Sequence, residues 1–272
     1  MAHIIEIENV TKTYGKHRGV DDISFAVEEG DIFAFLGPNG AGKSTTIRSM
    51  LGMLKYEGNI RVLGMDARTQ KTEILKEVGY MPSESMFYPT MKVKDVIRFA
   101  ADMRGKDCSE EAGRLCEKLQ VDSLKKIQEL SLGNRKKVSI VCAMQHQPKL
   151  LILDEPTSGL DPLIQDSFFR LIQEANKGGT TCFLSSHVLS EVKKYCRNAA
   201  IIKEGKILKV DTVENLSHTN LRTVKVWKDG REEHFTHDGP MKELINRLSA
   251  MEPEDVLIEE PSLDEIFMQY YE

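Results

Sequence analysis

Residues 37–44 read GPNGAGKS and match the pattern G-x-x-x-x-G-K-[ST]. An uninterrupted apolar run, residues 32–36, precedes them, and a helical pattern follows from residue 43 to about residue 54. A strand, a glycine-rich turn and a helix start in this order are typical of a phosphate-binding loop. The stretch therefore predicts an α/β fold with a site for a phosphorylated ligand, and the alternative is a chance glycine-rich turn.

The chemistry of this loop assigns a role to each type of residue. Backbone N–H groups of the turn and of the helix N-terminus surround phosphate oxygens, and glycines leave room for that approach. Lys43 places a positive charge on the β- and γ-phosphates, and the Ser44 hydroxyl is a ligand for Mg²⁺. The predicted nucleotide-binding residues here are Gly37, Pro38, Asn39, Gly40, Ala41, Gly42, Lys43, Ser44 and Thr45.

Two adjacent acids end a second apolar run, residues 150–154. Asp154 supplies an oxygen ligand for Mg²⁺, directly or through water, and Glu155 supplies the base for an attacking water. In open α/β sheets ligands lie outside the carboxyl ends of the strands, where both motifs are placed. The alternative interpretation is a solvated acidic strand end.

His187 closes a third strand-like run, TTCFLSSH. A lone histidine is more often structural than functional. This one follows a strand whose end we expect near the same phosphates. We therefore predict that His187 donates a hydrogen bond to the γ-phosphate or orients Glu155.

Composition and charge exclude several classes of protein. The chain has 272 residues, 40% apolar and 29% charged, which is typical of a globular protein with an apolar core. A net charge of −5 argues against a general nucleic-acid binder. No apolar run reaches the ~18 residues of a membrane span, and the N-terminal residues lack the pattern of a secretory signal. The five scattered cysteines have no CxxC pair, so we expect reduced thiols and no zinc site.

Changes of pattern divide the chain into parts. Strand patterns dominate up to about residue 83, and residues 84–140 have helical spacing, which predicts a helical subdomain inserted between halves of an α/β core. Strand-helix alternation returns at Lys149. From residue 217 a hairpin, a helix, a strand and a last helix predict a small α+β extension. The predicted domains are thus residues 1–216 and 217–272.

The order of four motifs, GPNGAGKST, LSLGN, LLILDEPTSGLD and SSH, resembles the ATP-binding subunit of an ABC transporter. The resemblance covers roughly residues 4–215. It implies a P-loop NTPase fold, with a RecA-like core, an antiparallel β subdomain and an inserted helical subdomain. It also implies ATP and Mg²⁺ as ligands and hydrolysis of ATP.

In this family the motif that corresponds to LSLGN, residues 130–134, is called the signature. Members form a head-to-tail dimer, with each ATP between the phosphate loop of one copy and the signature loop of the other. For this chain the resemblance implies that Ser131 and Gly133 contact the γ-phosphate bound by a partner copy. It implies that Asp161 reaches across the dimer and that Tyr14 stacks on adenine. The alternative role of residues 129–139 is only a turn and cap at the start of a helix.

Two stretches depart from the family pattern. Leu132 and Asn134 replace a Gly and a Gln of the signature, while Ser131 and Gly133 remain, so we expect the γ-phosphate contact to be kept. Ser83 stands where the family commonly has the Gln of the Q-loop. A serine is too short to copy the reach of that Gln, and either Glu84 or a water would replace it.

The stretch PSLDEIFMQYY, residues 261–271, resembles the end of the ATPases of drug, bacitracin and ABC-2-type exporters. The resemblance therefore implies an ATPase subunit that powers export through a separate membrane permease. Its dimer partner would be a second copy or a homologous ATPase subunit. It would lie in the cytoplasm, peripheral on the inner face of the cell membrane, with no nucleic-acid partner.

Two other functions are weighed against this one. A soluble ABC ATPase acting on ribosomes or DNA would carry two ATPase domains or a long coiled-coil insertion, whereas this chain has one phosphate loop and no long heptad run. A small-molecule kinase would leave two motifs without a role, LSLGN at residues 130–134 and SGLD at residues 158–161.

Overall fold

The computed structural model describes residues 2–217, 221–228 and 230–259. The chain divides into two compact units, residues 1–213 and 214–272. The first unit has two sheets and the second has one, and each unit has its own apolar core.

The first unit contains ten strands. They are β1 His3–Tyr14, β2 His17–Glu28, β3 Ile32–Leu36, β4 Glu57–Val62, β5 Met65–Asp66, β6 Val78–Met81, β7 Leu150–Asp154, β8 Thr181–Ser186, β9 Asn198–Lys203 and β10 Lys206–Thr212. Six form one sheet in the order β10-β9-β3-β8-β7-β6, in which the strands from β9 to β6 are parallel and β10 is an antiparallel edge. The three central strands, β3, β8 and β7, are buried along their whole length, as expected of a parallel sheet covered on both faces.

The other four strands form an antiparallel sheet in the order β2-β1-β4-β5. Aromatic side chains join it to the central sheet, because Phe25 of β2 stacks on Phe33 and Phe35 of β3 with ring centroids 6.0 and 5.2 Å apart. Both sheets therefore share one apolar core. This packing brings the turn between β1 and β2 beside the loop that follows β3.

Helices lie between these strands, and the last of them crosses the boundary between the two units. They are α1 Lys43–Met50, α2 Lys71–Glu77, α3 Val93–Asp102, α4 Ser109–Lys118, α5 Leu132–Met144, α6 Pro162–Lys177, α7 Leu189–Tyr195 and α8 Val213–Ser217. The predicted extent of α1, to about residue 54, is wrong. Gly52 adopts φ +63, and the N–H groups of Gly52 and Met53 bond to the carbonyls of Ser49 and Arg48, which closes the helix at Met50.

Helices α3, α4 and α5 occupy the stretch that follows β6, with a 3₁₀ turn at Ile127–Glu129 before α5. α5 packs against α3 and α4 at one side and against β6 of the central sheet at the other. It therefore connects the inserted helices to the core. Within the described ranges, no helix has both the length and the apolar character that a membrane crossing requires.

The second unit has a three-stranded antiparallel sheet in the order β12-β11-β13. Its elements are β11 Leu221–Lys228, β12 Arg231–Asp238, α9 Met241–Met251 and β13 Asp255–Glu259. Val224 and Val226 of β11 pack with Leu244 and Leu248 of α9, which gives this unit its core. The final helix predicted from the exporter-like stretch, residues 261–271, lies outside the described residues.

Candidate active site

The loop between β3 and α1 requires glycine at two of its positions for reasons internal to the protein. A Cβ at Gly37 would lie 2.4 Å from the Ile202 carbonyl oxygen, and a Cβ at Gly42 would lie 2.7 Å from the Gly19 carbonyl oxygen. Gly42 also has φ +110, which a residue with a Cβ rarely adopts. The backbone therefore packs too closely for side chains here, independently of any phosphate.

Lys43 folds back over this loop. Its side chain is only 6% exposed, and its Nζ donates to the carbonyl oxygens of Gly37 at 2.6 Å and Pro38 at 3.2 Å. The same Nζ lies 3.0 Å from Glu155 Oε1. The predicted phosphate-binding lysine and the predicted base are therefore in direct contact.

Asp154 and Glu155 lie at the carboxyl end of β7. Asp154 is 1% exposed, and its Oδ1 accepts a 2.7 Å hydrogen bond from the Ser185 hydroxyl. Glu155 adopts φ +49, and its N–H donates to Ser185 Oγ at 2.9 Å. Ser185 of β8 thus holds both acids, a role not predicted from the sequence. The available signal was a polar pair, Ser185 and Ser186, at the end of an otherwise apolar strand.

His187 lies beside the carboxylate of Glu155. Its Nδ1 is 2.6 Å from Glu155 Oε2. The two carboxylate oxygens of Glu155 therefore face two different cationic or hydrogen-bonding groups, Lys43 and His187. Of the two predicted roles of His187, this contact corresponds to orienting Glu155.

A second basic residue reaches Glu155 from α5. Lys136 is 2% exposed, and its Nζ donates to the Glu155 carbonyl oxygen at 2.9 Å. Burial lowers the pKa of Lys136, while Glu155 and Asp154 act in the opposite direction. The sequence pattern does not single out Lys136, because three consecutive basic residues after a helix cap are usually a solvated face.

Lys43 and Glu155 border a cleft of about 340 Å³. Its lining residues are Tyr14, Arg18, Gly19, Asn39, Gly40, Gly42, Lys43, Ser44, Thr45, Ser83 and Glu155. The structure thus brings Tyr14, from the antiparallel sheet, to the phosphate loop, and the Tyr14 hydroxyl is 3.5 Å from Thr45 Oγ1. Lys12 Nζ lies 5.1 Å from the centroid of the Tyr14 ring. Arg18 and Gly19 are cleft residues that were not predicted from the sequence.

Ser83 lines the cleft, whereas Glu84, its predicted alternative, is exposed and does not. The next residue, Ser85, is joined to α5 because the Ser139 hydroxyl donates to Ser85 Oγ at 2.6 Å. The segment after β6 is therefore held against α5 while Ser83 faces the loop.

Oxygen donors suitable for Mg²⁺ belong to Ser44, which lines this cleft, and to Asp154, which precedes the cleft residue Glu155. Asp154 Oδ2 is buried and has no hydrogen-bond partner among the described residues, and the Ser44 hydroxyl lines the cleft. Mg²⁺ binds carboxylate and hydroxyl oxygens and completes its shell with water and phosphate oxygens. The residues present therefore fit this ion.

Ser131, Gly133 and Asp161 are not among the residues that line this cleft. Ser131 caps α5, since its Oγ accepts from the Asn134 N–H at 3.3 Å. Asp161 caps α6, since its Oδ1 accepts from the Ile164 N–H at 3.1 Å. The cap predicted as the alternative role of the signature stretch is therefore present in the structure.

Comparison with known proteins gives a consistent family. The family model of the ABC transporter matches residues 20–158, just over half of the chain, and a shorter match to an AAA domain covers residues 125–192. The bacitracin transport ATP-binding protein BcrA of Bacillus licheniformis is 33% identical over 99% of this chain and 97% of its own length. The uncharacterized ABC transporter ATP-binding protein YhaQ of Bacillus subtilis is 32% identical over 98% of both chains.

Solved structures agree on the fold. A structure of an ATP-binding subunit of an ABC transporter superposes with a TM-score of 0.77, at 24% identity, over 99% of this chain and 100% of that chain. MJ1267, an ATP-binding cassette of an ABC transporter, has a TM-score of 0.68 at 26% identity over 79% of this chain and 95% of its own. The predicted P-loop NTPase fold is confirmed, and the chain belongs to the ABC transporter family as an ATP-binding subunit of the ABC ATPase type.

Proposed function

We propose that this chain hydrolyses ATP in the cleft between Tyr14 and Glu155 and thereby powers export through a separate membrane permease. The observation that carries the hydrolytic part is the position of the Glu155 carboxylate, 3.0 Å from Lys43 Nζ and 2.6 Å from His187 Nδ1. A carboxylate held in this way beside a phosphate loop is placed to polarise a water that attacks the γ-phosphate.

In the proposed mechanism each group has one task. The backbone of residues 37–45 and Lys43 bind the phosphates, and the face of Tyr14 binds adenine. Ser44 and Asp154 would hold Mg²⁺, which neutralises charge on the β- and γ-phosphates when bound. Glu155 accepts a proton from the attacking water, and His187 orients Glu155.

We also propose a head-to-tail dimer, with a second copy or a homologous ATPase subunit as the partner. Ser131, Gly133 and Asp161 would complete the ATP site of the partner rather than their own. Their position outside the cleft of their own chain supports this arrangement. The N-terminus of α5, with Ser131 as its cap, favours an anion such as a γ-phosphate.

The export function and the permease rest on other observations. Five large apolar side chains between β6 and α5 are exposed, Met86, Tyr88, Phe99, Met103 and Leu124. Such exposure supports contact with another protein, and we assign it to the permease. The bacitracin transport protein is a relative over nearly the whole chain, which supports export. The chain would then be cytoplasmic, peripheral on the inner face of the cell membrane.

We assign the ATPase domain to residues 1–216, with the helical subdomain at about residues 84–140, and the extension to residues 217–272. The division into compact units after residue 213 supports this proposal. The separate sheet and core of the second unit support it as well.

Replacing the proposed base tests the hydrolytic mechanism. Glu155→Gln keeps the shape of the side chain but removes the proton acceptor, so the turnover of ATP should fall at least ~100-fold. Binding of ATP, measured with a fluorescent analogue at equilibrium, should remain within a few-fold. Gln173→Glu, a polar exchange at an exposed position of α6, is the control for the effect of a substitution as such. Wild-type turnover in Glu155→Gln would exclude Glu155 as the base.

A further inference from the structure

The buried ammonium of Lys136 has a single hydrogen-bond acceptor among the described residues, the carbonyl oxygen of Glu155. Lys136 lies on α5, five positions after the cap Ser131. The acceptor belongs to the residue that follows β7. The contact therefore joins the helix of the signature stretch to the backbone of the proposed base.

Burial of an unpaired ammonium is costly, and an apolar side chain of the same length would fill the space without that cost. The charge at position 136 is therefore explained by its hydrogen bond to the Glu155 carbonyl oxygen. The hydrogen bond to the Glu155 carbonyl is charge-assisted, because its donor is an ammonium group. Such bonds are about twice as strong as neutral ones.

Glu155 needs such support because its backbone is in the left-handed region, with φ +49. A non-glycine residue persists there only where its surroundings hold it. The Glu155 N–H is held by Ser185 and its carbonyl by Lys136. With both ends of the residue fixed, the carboxylate is directed to the side of Lys43 and His187.

We propose that Lys136 is a positioning residue for the hydrolysis of ATP, which sets the direction of the Glu155 carboxylate by holding its carbonyl oxygen. The proposal rests on the assignment of Glu155 as the base. It gives the chain a contact, within one copy, between the element proposed to touch the ATP of the partner and the base that acts on its own ATP.

The test compares Lys136→Met, which keeps an unbranched apolar stem and removes the ammonium donor, with Lys136→Arg, which keeps a charged donor. Lys136→Met should lower kcat for ATP at least about tenfold, since small displacements of a reacting group cost this much or more. KM for ATP, equilibrium binding of ATP and the thermal midpoint should stay close to the wild type. Lys136→Arg should recover most of the lost kcat.

Lys137→Met is the matched control. Lys137 is the next residue of α5 and is also buried, but among the described residues no hydrogen bond joins it to Glu155. An equal loss of kcat in both methionine variants would indicate a general disturbance of α5 and overturn the proposal. A joint loss of ATP binding and thermal stability in Lys136→Met would overturn it as well.

Glu155→Gln is measured alongside to separate this proposal from the proposed function. An inactive Glu155→Gln beside a fully active Lys136→Met overturns the positioning role alone. An active Glu155→Gln overturns both. In a variant that combines Glu155→Gln with Lys136→Met, ATP-dependent dimerisation should equal that of Glu155→Gln alone. The reason is that Lys136 acts on the direction of the base and not on the binding of ATP.

Discussion

Single residues in the phosphate loop differ in why they must be small. Gly42 is enclosed by the Gly19 carbonyl oxygen and by Val20, whereas a Cβ at Gly40 would meet nothing within 4 Å. Both residues have positive φ, +110 and +82. The two positions therefore separate the effect of backbone strain from the effect of packing.

This difference predicts unequal costs for two alanine variants. Gly40→Ala pays only for the left-handed backbone, about 1 kcal/mol in the free energy of unfolding. Gly42→Ala adds a clash with backbone atoms, and we expect a loss of about 2–4 kcal/mol. Urea denaturation followed by circular dichroism measures both values. Equal losses in the two variants would contradict the packing argument.

Element α5 carries several contacts along its length. Ser131 caps it, Lys136 holds Glu155, and Ser139 bonds to Ser85 of the segment after β6. At its start Leu132 lies against Gly159, where a Cβ would be 3.3 Å from Leu132 Cδ2. The family departure at position 132 therefore has a physical account, since its side chain packs on the SGLD turn. The departure at position 134 has no such account, since the hydrogen bond from Asn134 to Ser131 Oγ is made by the backbone N–H and not by the side chain.

Substitution of the cap separates the two roles of the signature stretch. Ser131→Asp keeps a cap acceptor, so the free energy of unfolding should change by less than ~0.5 kcal/mol. Its negative charge would repel the γ-phosphate bound by a partner copy, and hydrolysis should fall at least tenfold, about 1.4 kcal/mol in the activation free energy. Binding of ATP to the single chain should be unaffected. Ser131→Ala is the control, with a loss of about 1 kcal/mol in stability.

Normal hydrolysis by Ser131→Asp, together with unchanged stability, would reduce the role of this residue to that of a helix cap. Steady-state release of phosphate at protein concentrations above and below the dimerisation range measures the effect.

The signature residues Ser131 and Gly133 do not line the cleft of their own copy. In the proposed mechanism one copy therefore lacks part of its ATP site, which a second copy must supply. Blocking hydrolysis should trap the complete state. With ATP and Mg²⁺, Glu155→Gln should elute at twice the 30.8 kDa of the single chain in size-exclusion chromatography with light scattering. Lys43→Ala, which lacks the phosphate-binding charge, should remain at the single mass. A single mass for Glu155→Gln at saturating ATP would contradict a homodimer.

The exposed apolar side chains of the inserted segment predict a partner for the assembled protein. Tagged protein should recover a multi-span membrane protein from detergent-solubilised membranes of its own host. Met86→Glu and Tyr88→Glu, at side chains that are 89% and 74% exposed, should abolish this recovery. Leu208→Glu on β10 is the matched control and should not. Recovery of ribosomes or DNA without such a protein would favour the alternative class of soluble ABC ATPase.

The sequence by itself determined the phosphate loop, the two acids at the end of β7 and the alternation that forms a parallel sheet. These features depend on neighbours in the chain, where glycine, capping and apolar runs act within a few residues. The end of α1 at Met50 also depends on a nearby residue, because Gly52 is a residue type that commonly ends a helix.

Only the tertiary structure decided which distant side chains hold Glu155. Ser185 and His187 come from the end of β8 and Lys136 comes from α5, all of them distant in sequence from Glu155, and the tertiary structure brings them together. The same holds for Arg18 in the cleft and for Leu132 on Gly159. Local patterns specify the elements, whereas the contacts between elements depend on how their apolar faces pack, which no short stretch contains.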